Sequence, residues 1–222
     1  MEEASNVLFR LGPVEITSTV TTIWGIVLVL TVLSFFATRN MKDIPGPLQA
    51  AAEIAVKKLR EYFSDFLGKE LADRHLPILG TFFIFIIVSN YSGLLPGAGH
   101  VKGFSVPTAC LSVTAALGIA AFFTTHAIGI SELGARRYLG SFLTVLLPLE
   151  LIEQCVRPVS LALRLFGNLY GEEQVSENLY TVFPIVLPLI MQVLSLLFCL
   201  IQAKVFTMLL SLYVASGLEA EH

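Results

Sequence analysis

The stretch LALRLFGNLYGEE, residues 161–173, places a permanent cation, Arg164, and a carboxamide, Asn168, inside an apolar run. An arginine at the centre of a bilayer costs at least about 2.5–3.5 kcal/mol, and its guanidinium does not lose its proton in proteins. Arg164 is therefore suited to attract and release a carboxylate, and it is a poor proton carrier. A structural ion pair with a residue of another helix is the alternative.

Nearly every polar residue between positions 150 and 171 falls along one line of a helix. At about 100° per residue, each lies within about 40° of the arginine; they are Glu150, Glu153, Arg157, Ser160, Asn168 and Gly171. The other faces carry Leu, Val, Phe and Ala. A polar strip this narrow in an apolar helix faces protein or water rather than lipid. Glu150 and Glu153 lie about 21 and about 17 Å along the helix from Arg164, too far for an ion pair.

A later apolar stretch has polar positions of its own, with Ser195 and Gln202 on one face. We expect Gln202 to face the arginine across a helical hairpin, and an ordinary interhelical hydrogen bond is the alternative. Glu172 and Glu173 end the arginine stretch, and they mark either the mouth of an aqueous pathway or an exposed helix end. Lys204 points away from Gln202, and nothing in the pattern explains a lysine that far from the helix end.

Composition indicates that lipid is the main solvent of these stretches. The chain has 222 residues, 55% of them hydrophobic and 14% charged, whereas soluble domains carry about 25% charged residues. We predict a single all-α, polytopic membrane domain. Its predicted parts are an outer N-terminal segment (1–16), a first span (17–37), a cytoplasmic amphipathic segment (44–75), a second span (76–95), a third span (107–130), and two long stretches (141–171 and 178–217) joined by a turn at 172–178.

The distribution of lysine and arginine predicts the orientation of these spans. Cytoplasmic loops are enriched in basic residues, and the segment 38–75 carries Arg39, Lys42, Lys57, Lys58, Arg60, Lys69 and Arg74. The loops that follow carry alternately few and more basic residues, which agrees with alternating outside and cytoplasmic positions. We therefore predict five crossings with the N-terminus outside and the C-terminus in the cytoplasm.

The last two stretches are longer than a membrane is thick. As helices they would measure about 46 and about 60 Å, against a hydrocarbon core of about 30 Å. Breaks at prolines are one solution; the candidates are Pro148, Pro158, Pro184 and Pro188. We favour the other solution, a strongly tilted helical hairpin.

The polar residues also occur in a recognisable order. The segment LRLFGNLYGEE is preceded by RPVS and followed by QAKVF and a terminal EH. This order, from about Pro148 to His222, resembles the a subunit of bacterial F-type ATP synthase, and the stretch Asn90–Gly97 resembles a further part of that family. The resemblance implies a stator subunit of the bacterial plasma (inner) membrane, whose hairpin lies against a ring of c subunits and which contacts b-type peripheral stalk subunits.

The resemblance also implies roles for individual residues. Arg164 matches the essential arginine of the family, and Asn168 and Gln202 match its helper residues. Glu150 matches the acid on the cytoplasmic half, and Glu173 matches the acid on the outer half.

One position departs from the family pattern. Where well-known members have a histidine seven residues before the glutamine, this chain has Ser195. We therefore expect Glu172 to take part in proton transfer on the outer side. On the inner side, we expect the proton route to pass Glu153. The implied function is proton flow through two offset half-channels that turns the ring and drives ATP synthesis.

A secondary transporter that binds an anionic substrate at Arg164 is the alternative. Such folds usually show two related halves, and none is visible here. No HExxH or GxSG motif points to a protease, and we predict no cofactor, no metal, no nucleic-acid partner and no catalytic activity of the isolated chain.

Overall fold

The computed structural model describes residues 7–11, 14–39, 41–94, 105–134, 147–182 and 186–219. It shows an α-helical protein with one short hairpin of strands before the first helix. The helices are α1 (Ser18–Thr38), α2 (Pro47–Leu67), α3 (Lys69–Ser92), α4 (Leu111–Leu133), α5 (Leu147–Val182) and α6 (Val186–Glu219). A 3-10 turn, Pro107–Ala109, precedes α4.

The N-terminal strands were not predicted from the sequence. Strand β1 (Val7–Leu11) pairs antiparallel with β2 (Val14–Thr17), with Leu11 opposite Val14. Both strands are short and rich in residues that favour β structure, such as valine, isoleucine and threonine. They lead directly into α1, whose first residue is Ser18.

Helix α2 is the predicted amphipathic segment, and it packs on α3. Pro47 stands in its first turn, where the missing N–H costs nothing, and Gly68 ends it with a φ of 75°. Its buried residues recur every four positions, Leu59, Phe63 and Leu67, which gives one apolar stripe. The opposite faces carry the charged residues.

Helix α3 begins at Lys69, seven residues before the predicted start of the second span. The predicted cytoplasmic segment therefore contains the first two turns of this helix. Positive φ at Gly68 is the break between α2 and α3, and the charged residues that follow remain helical. Arg60 of α2 forms an ion pair with Asp73 of α3, which joins the two helices across that break.

A second ionic contact joins α3 to α4. Glu132 accepts hydrogen bonds from Arg74, at 2.7 Å from Nη1 to Oε2, and lies 2.9 Å from Nε2 of His75. His75 is only 6% exposed. A buried imidazole requires a hydrogen-bond partner, so Glu132 holds the N-terminal end of α3 against the C-terminal end of α4.

Replacing Glu132 with alanine is expected to destabilise the protein. The change removes the described partner of buried His75 and one partner of Arg74, at a cost of about 1–3 kcal/mol. The matched control is Glu70→Ala, because Glu70 also contacts Arg74 but at 3.5 Å with an 88% exposed side chain, where ion pairs contribute little. Thermal unfolding in detergent measures both; equal melting temperatures for the two variants would contradict this role of Glu132.

The last two helices differ from the predicted boundaries. Helix α5 continues through the predicted turn at 172–178 and ends at Val182, two residues before Pro184. The segment Gly-Glu-Glu-Gln looked like a turn because it is polar, but glutamate and glutamine are good helix formers and one glycine costs only about 1 kcal/mol. A proline disfavours helix in the residue before it, which explains the actual end.

The prolines interrupt these helices less than their number suggests. Pro158 lies inside α5 without ending it, and Pro148 and Pro188 lie in the first turns of α5 and α6, where proline is tolerated. The helices have 36 and 34 residues, or about 54 and about 51 Å at 1.5 Å per residue. Both exceed the thickness of a hydrocarbon core, as predicted from the sequence.

Four of the described helices are long and apolar enough to cross a membrane: Ser18–Thr38, Lys69–Ser92, Leu111–Leu133 and the part of α6 from Ile190 to Leu218. Helix α5 does not meet this criterion in its described residues, because it carries Arg157, Arg164 and several glutamates. The chain is an all-α, multi-pass membrane protein, and α5 is more polar than each of the four candidate spans.

Helices α4, α5 and α6 pack together around small residues. Gly118 of α4 faces the carbonyl of Pro158 in α5, and Ala162 lies beside it. Leu161, Leu165 and the α6 residues Phe206 and Leu210 belong to one buried apolar cluster that also includes residues of α2 and α3. This cluster fixes the position of the helices that carry the polar residues.

Candidate functional site

The polar residues of α5 and α6 meet at one hydrogen bond. Asn168 Nδ2 donates to Gln202 Oε1 at 2.6 Å. Gln202 is 4% exposed, whereas Asn168 is exposed, so this contact lies at the edge of the interface between the two helices. The partner of Gln202 is thus Asn168, one turn beyond Arg164, the partner expected from the sequence.

Arg164 lies one helical turn before Asn168, and its side chain is exposed. Among the described residues, no hydrogen bond or ion pair joins it to another side chain. Its exposed neighbours on α5 are mostly apolar and include Val156, Val159 and Leu163; Asn168 is an exposed polar one. A cation at the edge of an apolar surface needs an anionic partner or water, so the arrangement favours a partner outside this chain over an internal ion pair.

Arg157, two turns before Arg164, has a different environment. Its guanidinium carbon lies 4.8 Å from the centre of the Tyr213 ring, and Nη1 donates to Ser216 Oγ at 3.2 Å. Both partners belong to α6. A cation over an aromatic ring is stabilised by the ring quadrupole, so Arg157 holds the hairpin together, whereas Arg164 faces outward.

Helix α3 adds polar atoms that the sequence analysis did not treat as site residues. Asn90 Nδ2 points at the Cys199 carbonyl at 3.5 Å, and its side chain is almost fully buried. Within the described residues, Asn90 Oδ1, Ser89 Oγ and Gln202 Nε2 are buried without a hydrogen-bond partner. Such atoms are costly in an apolar interior. Two sequence signals point to this residue: the position of Asn90 inside a predicted span and the family resemblance of the stretch Asn90–Gly97.

Ser195 and Glu172 belong to the same helix pair, with Glu172 on the C-terminal side of Arg164 in α5 and Ser195 on the N-terminal side of Gln202 in α6. Ser195 is buried, and its hydroxyl donates to the Met191 carbonyl of its own helix at 2.8 Å. Glu172 is half-buried and lies one turn beyond Asn168 on α5.

Three predicted site residues fall where only the backbone is described. Glu150, Glu153 and Glu173 belong to α5, and their side chains lie outside the described residues. Their helical positions keep Glu150 and Glu153 on the N-terminal side of Arg164, and Glu173 on the C-terminal side. In the described part of the chain, no group of three His, Cys, Asp or Glu side chains is arranged to hold a metal ion.

Comparison with known proteins shows the family of this chain. The family model described as ATP synthase A chain matches residues 19–215. The chain belongs to this family. An ATP synthase subunit a of Moorella thermoacetica is 40% identical over 212 residues, which are 94% of each chain. An ATP synthase subunit a 2 of a Bradyrhizobium species is 35% identical over 216 residues, 96% of this chain and 94% of the relative.

Membership of the ATP synthase A chain family gives the site its setting. The chain is a subunit of the membrane sector of an ATP synthase, and its partners are the rest of that complex. Family members take part in ATP synthesis and proton transport as membrane subunits, and they are not themselves the catalytic subunits. The prediction of an F-type a subunit is confirmed.

Proposed function

We propose that this chain is the ion-translocating stator of the membrane sector, and that Arg164 separates two offset half-channels that serve a rotating ring of c subunits. The observation that carries the proposal is the exposed guanidinium of Arg164, without a described partner, one turn from the Asn168–Gln202 hydrogen bond. A permanent cation of this kind matches a carboxylate that arrives from another subunit and leaves again.

The electrostatics of the encounter give the direction of proton transfer. A protonated ring carboxyl is neutral and faces lipid at little cost. When it reaches Arg164, the fixed cation favours the ionised form, and a neighbouring positive charge lowers a carboxyl pKa by about 1–3 units. The proton therefore leaves the carboxyl at this point, and the same cation repels protons that would pass directly between the half-channels.

The polar residues divide into an outer and an inner route. On the outer side, Glu172 and Glu173 collect protons, with Ser195 at the position of the family histidine. The buried atoms of Asn90 and Gln202 that lack described partners support a hydrated path there, because polar atoms in such positions are normally satisfied by ordered water.

The inner route passes Glu153 and Glu150, on the N-terminal side of Arg164. The distribution of basic residues supports this orientation, with the N-terminus outside and the C-terminus in the cytoplasm. The long hairpin of α5 and α6, strongly tilted in the membrane, then follows the ring, and b-type stalk subunits hold it in place. The transmembrane potential contributes about 2.3 kcal/mol per charge per 100 mV.

Purification tests this proposal. An affinity tag on this chain is expected to recover a complex that contains a ring of small membrane subunits. In liposomes with an imposed proton gradient, that complex is expected to make ATP, and the same preparation without this chain is expected to make none. A chain that purifies alone and transports an organic anion would contradict the proposal and favour a carrier.

A further inference from the structure

Tyr62 joins the surface helix α2 to the helix that carries Gln202. Its hydroxyl donates to the Lys204 carbonyl at 2.6 Å. Thr207 Oγ1 donates to the same carbonyl at 3.2 Å. The acceptor lies two residues beyond Gln202, about 3 Å along the helix axis.

Three phenylalanine rings hold the Tyr62 ring in place. The ring makes edge contacts with Phe63 and Phe66 of α2, with centroids 5.2 and 5.3 Å away, and a tilted contact with Phe83 of α3 at 6.4 Å. Phe82 stacks on Phe206 at 6.2 Å, which brings α3 against α6 at the same level. Burial raises the pKa of the Tyr62 hydroxyl, so it remains a donor throughout the neutral range.

The same contact involves the backbone of Lys204 and leaves its side chain exposed. The outer faces of α2 are charged and exposed, with Lys58, Glu61 and Asp65 among their residues. A long lysine side chain can carry its ammonium group away from apolar surroundings toward water.

The alignment of α6 along α5 decides whether the hydrogen bond between Asn168 and Gln202 can form. A shift of α6 by one residue moves Gln202 by about 1.5 Å and rotates it by about 100°. Either change breaks a hydrogen bond of 2.6 Å to Asn168. A hydrogen bond from α2 to a single α6 carbonyl limits both the sliding and the rotation of the helix at this turn.

We propose that Tyr62 is a positioning residue, which sets the register of α6 and thereby holds Gln202 on Asn168 in the proton pathway. The expected effect on transport rests on the proposed function, whereas the contact of Tyr62 with Lys204 does not.

The variant Tyr62→Phe tests this role, because it removes the hydroxyl and keeps the ring. Proton-driven ATP synthesis, measured per assembled complex, is expected to fall about two- to tenfold, the range for loss of one neutral hydrogen bond. The matched control is Ser64→Ala. Ser64 lies on the same helix, and its hydroxyl bonds to the Arg60 carbonyl within α2, so its loss is expected to leave transport unchanged.

A second experiment measures the alignment of α5 and α6 directly. Cysteines replace Asn168 and Gln202 in a chain from which Cys110, Cys155 and Cys199 have been removed, and a short bifunctional thiol reagent is applied to the assembled complex. Mass spectrometry is expected to show less 168–202 cross-link when Tyr62→Phe is added, and no change when Ser64→Ala is added.

The outcomes separate the possibilities. Fewer assembled complexes with unchanged turnover and unchanged cross-linking per complex would show that Tyr62 is only a scaffold residue, which overturns the proposal. Identical results for Tyr62→Phe and Ser64→Ala would overturn it as well. A changed cross-link in Tyr62→Phe, together with full ATP synthesis in Arg164→Ala, would leave the positioning role intact and remove the proposed function.

Discussion

Replacing Arg164 with alanine is expected to abolish proton-driven ATP synthesis while the complex still assembles. The side chain is exposed and has no described partner within the chain, so its removal leaves no internal charge unpaired. The ring carboxylate, by contrast, loses the cation that favours its ionised form. Loss of about 1–3 pKa units corresponds to about a 10- to 1000-fold lower probability of proton release at that point.

The measurement is ATP synthesis by purified complexes in liposomes under an imposed proton gradient. Passive proton flow through the same liposomes is expected to rise, because the fixed positive charge between the half-channels has gone. Arg157→Ala is the matched control, as it removes the same side chain from the same helix, two turns away. Since Arg157 binds Tyr213 and Ser216, this control is expected to lower assembly while each assembled complex remains coupled.

The variant Arg164→Lys distinguishes the effect of the positive charge from the effect of the planar guanidinium. Arginine is planar, permanently charged and able to bind a carboxylate with two parallel hydrogen bonds, whereas a lysine in an apolar setting can lose its proton. Arg164→Lys is therefore expected to retain part of the activity only at low pH. Full synthesis in Arg164→Ala would contradict the proposed role, since no permanent cation would then be needed.

The polar residues of α5 show what the sequence can predict. A helix has a fixed period, so the position of Asn168 and Gly171 on the side of Arg164 follows from spacing alone. The bilayer cost of an arginine is also a local property, which is why Arg164 could be singled out without a structure. The contact between Asn168 and Gln202 depends on how two helices are aligned, and spacing within one helix carries no information about that alignment.

Other features depended on contacts between distant parts of the chain. The burial of His75 against Glu132 and the contact of Tyr62 with Lys204 join residues 57 and 142 positions apart. Polarity at Glu172 and Glu173 predicts a turn, but glutamate is also favourable in a helix, and α5 continues to Val182. The charges between Lys69 and His75 likewise predict a surface segment, but Asp73, Arg74 and His75 contact neighbouring helices.

Gly118→Val is expected to have the second large effect, on assembly. A Cβ atom at this position would lie 2.6 Å from the Pro158 carbonyl oxygen and 3.2 Å from the Ala162 Cβ. The nearest atom belongs to the backbone, so a side-chain rotation cannot relieve the clash, and α4 and α5 must separate. Overpacking of this kind costs up to about 3 kcal/mol.

The cost of this separation falls on the helix that carries Arg164, because Pro158 lies less than two turns before it. Gly118→Val is therefore expected to lower the melting temperature of the purified protein by roughly 5–10 °C and to reduce the yield of assembled complex. Gly25→Ala is the matched control, a glycine inside a membrane helix with no atom within 4 Å of its added Cβ. Since alanine favours helix over glycine by about 1 kcal/mol, this control should not lower stability, and equal melting temperatures for both variants would show that α4 and α5 do not depend on this close approach.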